Sequence, residues 1–278
     1  MRKSRLLAGA GAIALAAGLA VTAAASASST PTRPPPPTGV TIVPGQNAGH
    51  TAGQGLTQVK YFNWAGYADT GTGFSKVSSS WTVPKVTCNP NISGYQWSVF
   101  WVGIDGFSNG TVEQDGTDAY CHGSQGPYYD TWWEHYPTNN IQEVGTSVKP
   151  GDKIHSSVVR SGTKYTVKVT DSTNTADSFT KTFSCSATSC KDTSAEWIAE
   201  SPGGDSGEPD NLYPLAKFAP WTNSSSAVST TAKSGNIKTF PDDEITAVET
   251  NNTTVKMQPS ALNSAGTAFS VTWKNYGP

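Results

Sequence analysis

What this 278-residue sequence lacks narrows the field before any motif is read. After position 21 no apolar run is long enough to cross a bilayer. No basic cluster is visible, which argues against a nucleic-acid or anionic-membrane partner. Histidine occurs 4 times, with no H-E-x-x-H string. No phosphate-cradling glycine loop and no dinucleotide fingerprint are present. No metal or organic cofactor is therefore implied. No stretch of about twelve residues keeps a helical period, which argues against an all-α or α/β chain.

Acidic residues are also missing from the first 60 positions, so all 21 fall later. With 14 of the 19 Lys and Arg, they give the remainder a net charge of about −7, against −2 for the whole chain. The opening has the marks of an export signal: Arg2, Lys3 and Arg5, an apolar stretch over residues 6–21, then Ala25-Ser26-Ala27. Residues 1–27 are thus expected to be a signal peptide, making the protein secreted and extracellular, with no membrane association after cleavage. Residues 28–60 are rich in Pro, Gly, Thr and Gln and poor in large apolar side chains. Such a segment is expected to be a disordered leader or propeptide. The folded domain is expected over residues 61–278, with the mature chain starting near Tyr61 to Asn63.

There are 4 cysteines, Cys88, Cys121, Cys185 and Cys190. An exported protein favours disulfides, and three pairings are open. Cys185 and Cys190 flank a short turn and suit a hairpin staple, which leaves Cys88 with Cys121. Zinc is the competing reading; the spacings do not fit it and no nearby histidine pair completes a site.

Short strands fill the domain, at residues 77–83, 98–104, 128–136, 153–159, 164–170 and 269–273. They are rich in β-branched and aromatic residues and punctuated by Gly, Asn, Asp and Pro. This predicts one all-β domain, an antiparallel sandwich or barrel. Alternation gives each strand two faces. Phe100, Val102 and Ile104 form a core face; Val99, Trp101, Gly103 and Asp105 form the other. Tyr128, Asp130, Trp132, Glu134 and Tyr136 share a face that mixes acids with aromatics. That makes a poor core and a reasonable lining for a groove that grips a polymer.

Two protease-like strings lack their context. Gly106-Phe107-Ser108-Asn109-Gly110 matches a nucleophile elbow but sits between strands rather than before a helix. Gly204-Asp205-Ser206-Gly207 resembles a serine-protease loop, yet none of His50, His122, His135 and His155 has the surroundings of a catalytic base. Paired carboxylates remain. Asp130 and Glu134 share a strand face, as do Glu196 and Glu200. Residues four apart on a strand lie about 13 Å apart, too far for a glycosidase pair at about 5–9.5 Å, so only cross-strand neighbours could serve. A secreted carbohydrate-active or carbohydrate-binding β-sandwich therefore stays open.

Several motifs in order carry a resemblance: NWAG at 63–66, VSSSWTVP at 77–84, FWVGIDG at 100–106, YYDTWWEHYP at 128–137 and SAEWIAE at 194–200. The chain resembles the glutamic peptidases, the eqolisin-type acid endopeptidases, over nearly all of the expected domain. The resemblance implies an antiparallel β-sandwich of two sheets with a concave substrate groove. It implies polypeptide substrates, a monomer, and a catalytic pair at Gln114 and Glu200. Trp101, Asp105, Asp130, Trp132, Glu134 and Tyr136 match groove-lining positions. Gln114 departs from the family in being flanked by Glu113 and Asp115. A non-catalytic member keeping the groove as a binding site is the third reading.

Overall fold

A computed structural model describes residues 33–34, 40–48, 57–186, 188–203 and 211–277. The expected signal peptide and the Gly204 to Gly207 string lie outside the described residues. The described chain is nearly all β. In order, its strands are β1 (Thr57–Tyr61), β2 (Trp64–Thr70), β3 (Phe74–Thr82), β4 (Val86–Thr87), β5 (Tyr95–Ile104) and β6 (Val112–His122). There follow β7 (Gln125–Tyr136), β8 (Gln142–Gly145), β9 (Lys153–Ser161), β10 (Lys164–Asp171), β11 (Phe179–Ser184) and β12 (Ser194–Glu200). The last are β13 (Lys217–Phe218), β14 (Trp221–Thr230), β15 (Ser234–Gly235), β16 (Asp242–Val248), β17 (Val255–Pro259) and β18 (Phe269–Trp273). Two 3-10 turns, Thr175–Asp177 and Ile237–Thr239, stand among these strands.

Hydrogen bonding links 16 strands into one large sheet in the order β11-β10-β9-β3-β14-β18-β17-β16-β2-β12-β5-β6-β7-β8, with β1 beside β16 and β15 beside β14. All its pairings are antiparallel except β1 with β16. β16, β17 and β18 carry the hydrogen-bond ladder from one half of the sheet to the other. The sheet curls so that its halves face each other. Trp81 Nε1 of β3 donates to Thr117 Oγ1 of β6 at 3.0 Å, and Trp197 Nε1 of β12 donates to the Ser78 carbonyl at 3.1 Å. The main core lies between the halves and includes Phe100, Val102 and Ile104, the face expected from alternation, with Trp81, Val158, Val167 and Trp221 opposite. Both expected disulfides are present, Cys88–Cys121 and Cys185–Cys190.

A second apolar cluster forms on the other face of β2, β12, β5, β6 and β7. Trp64, Trp97, Trp101, Tyr120 and Trp132 meet Val40, Ile42, Val59 and Tyr61 there. Within the stretch expected to be a leader, residues 40–48 and 57–60 pack onto the fold. Val40, Ile42 and Val43 are 1%, 0% and 3% exposed. Composition averaged over the segment hides these few apolar residues, which suffice because a complementary face awaits them.

Candidate active site

The floor of this face is a ladder of cross-strand pairs. Antiparallel register sets Gln114 opposite Glu134, Gly116 opposite Trp132, Asp118 opposite Asp130 and Tyr120 opposite Tyr128. On the other side of β6, β5 places Gly103 beside Gln114 and Trp101 beside Gly116. Gly116 is required by this close approach, because a Cβ there would stand 2.1 Å from the Phe100 carbonyl oxygen. Next comes β12, whose Glu200 pairs with Val99 and, on its far side, with Trp64. Alternation thus delivers Gln114, Glu134, Asp130, Trp132, Trp101 and Glu200 to one face, with Tyr136 packed at its margin.

Residues 40–46 lie across this floor as a strand-like segment, bridged to Gly203 through Thr41. Gln114 Nε2 donates to the Ile42 carbonyl at 2.9 Å and to Glu134 Oε2 at 2.8 Å. The same Glu134 oxygen accepts the Ile42 N–H at 3.1 Å. One residue on, the Val43 carbonyl accepts from Asn63 Nδ2 at 3.3 Å and Trp64 Nε1 at 3.2 Å. Glu200 Oε1 accepts from that same Asn63 amide at 3.3 Å, and Glu200 Oε2 from Trp101 Nε1 at 2.9 Å. Gln114 and Glu200 therefore flank one stretch of main chain.

The segment also sets the electrostatics. Gln114, Glu134 and Glu200 are all 0% exposed. Burial pushes the Glu200 carboxyl well above the usual carboxylate range; donation from Trp101 and Asn63 opposes the rise, and Glu134 adds to it. Burial raises Glu134 as well, against donation from Ile42 and Gln114. Behind them, buried Lys256 donates to the Phe62 carbonyl at 3.2 Å. Burial lowers its pKa to about 8, against the attraction of Glu249 and Glu200. A surface groove of about 600 Å³ exists elsewhere, lined by Trp81, Lys153, His155 and Pro220 among others, and shares no residue with this face.

One expected groove residue is placed differently. The two Asp105 oxygens accept the backbone N–H groups of Lys191, Asp192 and Thr193, each at 2.8 Å. Asp105 also accepts from Asn109 Nδ2 at 2.8 Å. It sits at φ 71°, where the chain leaves β5, so strand alternation no longer aims its side chain. Asp105 pins the loop entering β12. Glu113 and Asp115 point away from the Gln114 face: Asp115 accepts from Ser156 Oγ of β9 at 2.6 Å, and Glu113 sits 3.8 Å from His135. Sequence reasoning missed Asp118, although it lies four residues past Gln114 on the same face. It missed the roles of Asn63 and Ile42, whose signals are spatial.

On this all-β frame the Gln114 amide donates to the main chain at Ile42, and Glu200 shares the Asn63 amide with the neighbouring Val43 carbonyl. The family model described as the Peptidase A4 family matches residues 62–273, and the chain belongs to that family. It is 31% identical over 196 residues to aspergillopepsin-2 of Aspergillus niger, covering 63% of this chain and 67% of that one. It is 31% identical over 163 residues to scytalidopepsin B of Scytalidium lignicola, covering 57% of this chain and 59% of the relative. Among solved structures it is similar to scytalido-glutamic peptidase with a peptide-based transition-state analogue. That match has a TM-score of 0.62 and 26% identity over 77% of this chain and 98% of the other. The chain is an eqolisin-type glutamic peptidase and hydrolyses peptide bonds.

Proposed function

We propose that this is a secreted, monomeric acid endopeptidase in which Glu200 and Gln114 are the catalytic pair and the upstream segment is a built-in inhibitor. The curled sheet is read as a two-layer sandwich whose aromatic face is the substrate groove. Glu200, as carboxylate, takes a proton from a water that attacks the peptide carbonyl. Gln114 donates to the oxygen as it gains charge, and Glu200 returns the proton to the leaving nitrogen. The observation that carries this reading is the Gln114 amide seated on the Ile42 carbonyl, because the bond from Ile42 to Val43 is itself a peptide held where a substrate would lie.

Leader removal changes the chemistry as well as access. Without residues 40–46 the two carboxyls regain water, the burial that raises them weakens, and a fraction of Glu200 ionises in acid. The deciding assay is digestion of a denatured protein at about pH 3–4 by secreted material. Glu200→Gln and release of reducing sugar from polysaccharides serve as controls. Sugar release without proteolysis would overturn the proposal.

A further inference from the structure

Beyond the catalytic pair, the groove floor continues into a second charged site. Asp118 and Asp130 face each other across β6 and β7, four residues from the pair formed by Gln114 and Glu134. That spacing is about 13 Å along the strand. Glu143 of β8 joins them from the next strand, opposite Trp132. One carboxylate oxygen from each lies within 4.8 Å of the others. Asp118 and Asp130 are 1% and 0% exposed. Three acids so close, two of them buried, oppose one another's ionisation unless a cation joins them.

That cation is Arg33. Its guanidinium is ion-paired with Asp130 and lies 3.7 Å from Glu143. Its Nε donates to the Tyr120 hydroxyl at 2.9 Å. The group lies over the rings of Tyr120 and Tyr128, 5.1 and 5.5 Å from their centroids. Among the described residues, no other Lys, Arg or His is ion-paired with the three acids. Asp118 Oδ1 and Asp130 Oδ1, both buried, still have no hydrogen-bond partner. Carboxylates at the edge and aromatic faces above suit a planar guanidinium better than a compact ammonium.

We propose that Asp118, Asp130 and Glu143 form a guanidinium subsite of the peptidase, filled by Arg33 in the full chain and by an arginine of the polypeptide substrate once the leader leaves. The inference rests on the proposed catalytic groove and adds a specificity to it. The spacing puts the favoured arginine roughly three to five residues from the scissile bond. Asp130 was expected to line the groove; Asp118 and Glu143 acquire a role here.

The test uses secreted material from the full chain, with its N-terminus sequenced. Peptides carry a single arginine walked along both sides of the cleaved bond, each matched to one with citrulline, which keeps the shape without the charge. At one position, arginine should raise kcat/KM over citrulline on the order of tenfold, chiefly through KM, as for a buried hydrogen bond to a charged group. Asp130→Asn should bring that ratio to near one. Glu143→Gln, at the mouth of the site, should reduce it and stands in if Asp130→Asn does not fold. The ratio is read within each variant, so a lower overall rate does not disturb it. Arg33→Gln, run in parallel, vacates the subsite in any material that keeps the leader. Equal rates for arginine and citrulline at every position, or a ratio untouched by both acid variants, would overturn the subsite while leaving the peptidase intact. A ratio abolished by millimolar calcium alone would assign the acids to a divalent cation instead. Hydrolysis of neither peptide set would count against the catalytic reading on which the subsite depends.

Discussion

Gln114 offers its side-chain amide to the main-chain carbonyl of Ile42 at 2.9 Å, while Glu134 accepts the N–H of that same residue at 3.1 Å. Both polar groups of one leader residue are thus satisfied by side chains that alternation places on one sheet face. Under the proposed function, a segment held this way would compete with substrate rather than merely shade the groove.

A synthetic peptide spanning residues 33–48 should therefore inhibit the processed enzyme competitively. N-methylation at Ile42 removes the N–H that Glu134 accepts. It should weaken inhibition on the order of tenfold, as expected for one buried hydrogen bond to a carboxylate. Non-competitive inhibition, or indifference to the methyl group, would separate the leader's packing from any role in blocking the site.

The two members of the proposed catalytic pair are separable by substitution. Glu200→Gln keeps the shape and one of the two oxygens that accept from Asn63 and Trp101 but cannot take a proton, so activity should nearly vanish across the acid range. Gln114→Ala removes one oxyanion donor and should cost on the order of 10²–10³ in kcat. The two losses should not add, because they act on one transition state. Glu134→Gln should alter KM or the pH profile more than turnover. Steady-state kinetics on one peptide checks all of these, and a correctly folded Glu200→Gln enzyme with substantial turnover would remove Glu200 from the mechanism.

Asp105→Ala tests whether that carboxylate belongs to the loop or to the groove. Three backbone N–H groups at 2.8 Å lose their acceptor, one of them fully buried. The position at φ 71° also suits Asp better than Ala. The expected result is a fall of about 2–3 kcal/mol in unfolding free energy, from the lost charged hydrogen bonds, with KM little changed. A raised KM at unaltered stability would return Asp105 to the groove.

Strand alternation made much of this site legible in advance. It put Phe100, Val102 and Ile104 inward and Trp101 outward, and it set Asp130, Trp132 and Glu134 on one face, all as found. It failed where the strand ended, at Asp105, because the left-handed turn re-aims the side chain. The continuity of the large sheet was not legible either. It depends on β16 to β18 pairing across the chain, and nothing local in those residues specifies their partners. Ile42 and Arg33 looked like parts of a featureless leader because their meaning lies in the acids and amides they meet.

The last prediction concerns buried acids that the groove does not use. Asp115 is fully buried against Ser156 of the facing half, and burial pushes its pKa up to about 8, against donation from Ser156. Asp69, Glu113 and Glu196 are raised in the same direction, chiefly by burial. A carboxyl with a raised folded pKa binds its proton more tightly in the fold than in the unfolded chain. Its contribution is complete below the unfolded value of about 4 and is lost as pH rises toward the folded value. For Asp115 that window runs from about pH 4 to about 8. Inside it, each such group removes up to about 1.4 kcal/mol per pH unit. His135 and His155, lowered by burial, act in the opposite sense below about pH 6.5, and Lys256 acts only above its lowered value of about 8. The acids outnumber the histidines, so Tm should be highest near pH 4 and fall toward neutrality. Asp115→Asn keeps the shape and removes one titration, which makes that fall shallower whatever the other groups do. Calorimetry of both proteins from pH 3.5 to 7.5 isolates the difference. An identical slope in the variant would show that Asp115 does not titrate across this range, and a wild-type Tm that climbs toward neutrality would show that the buried acids are ionised in the fold.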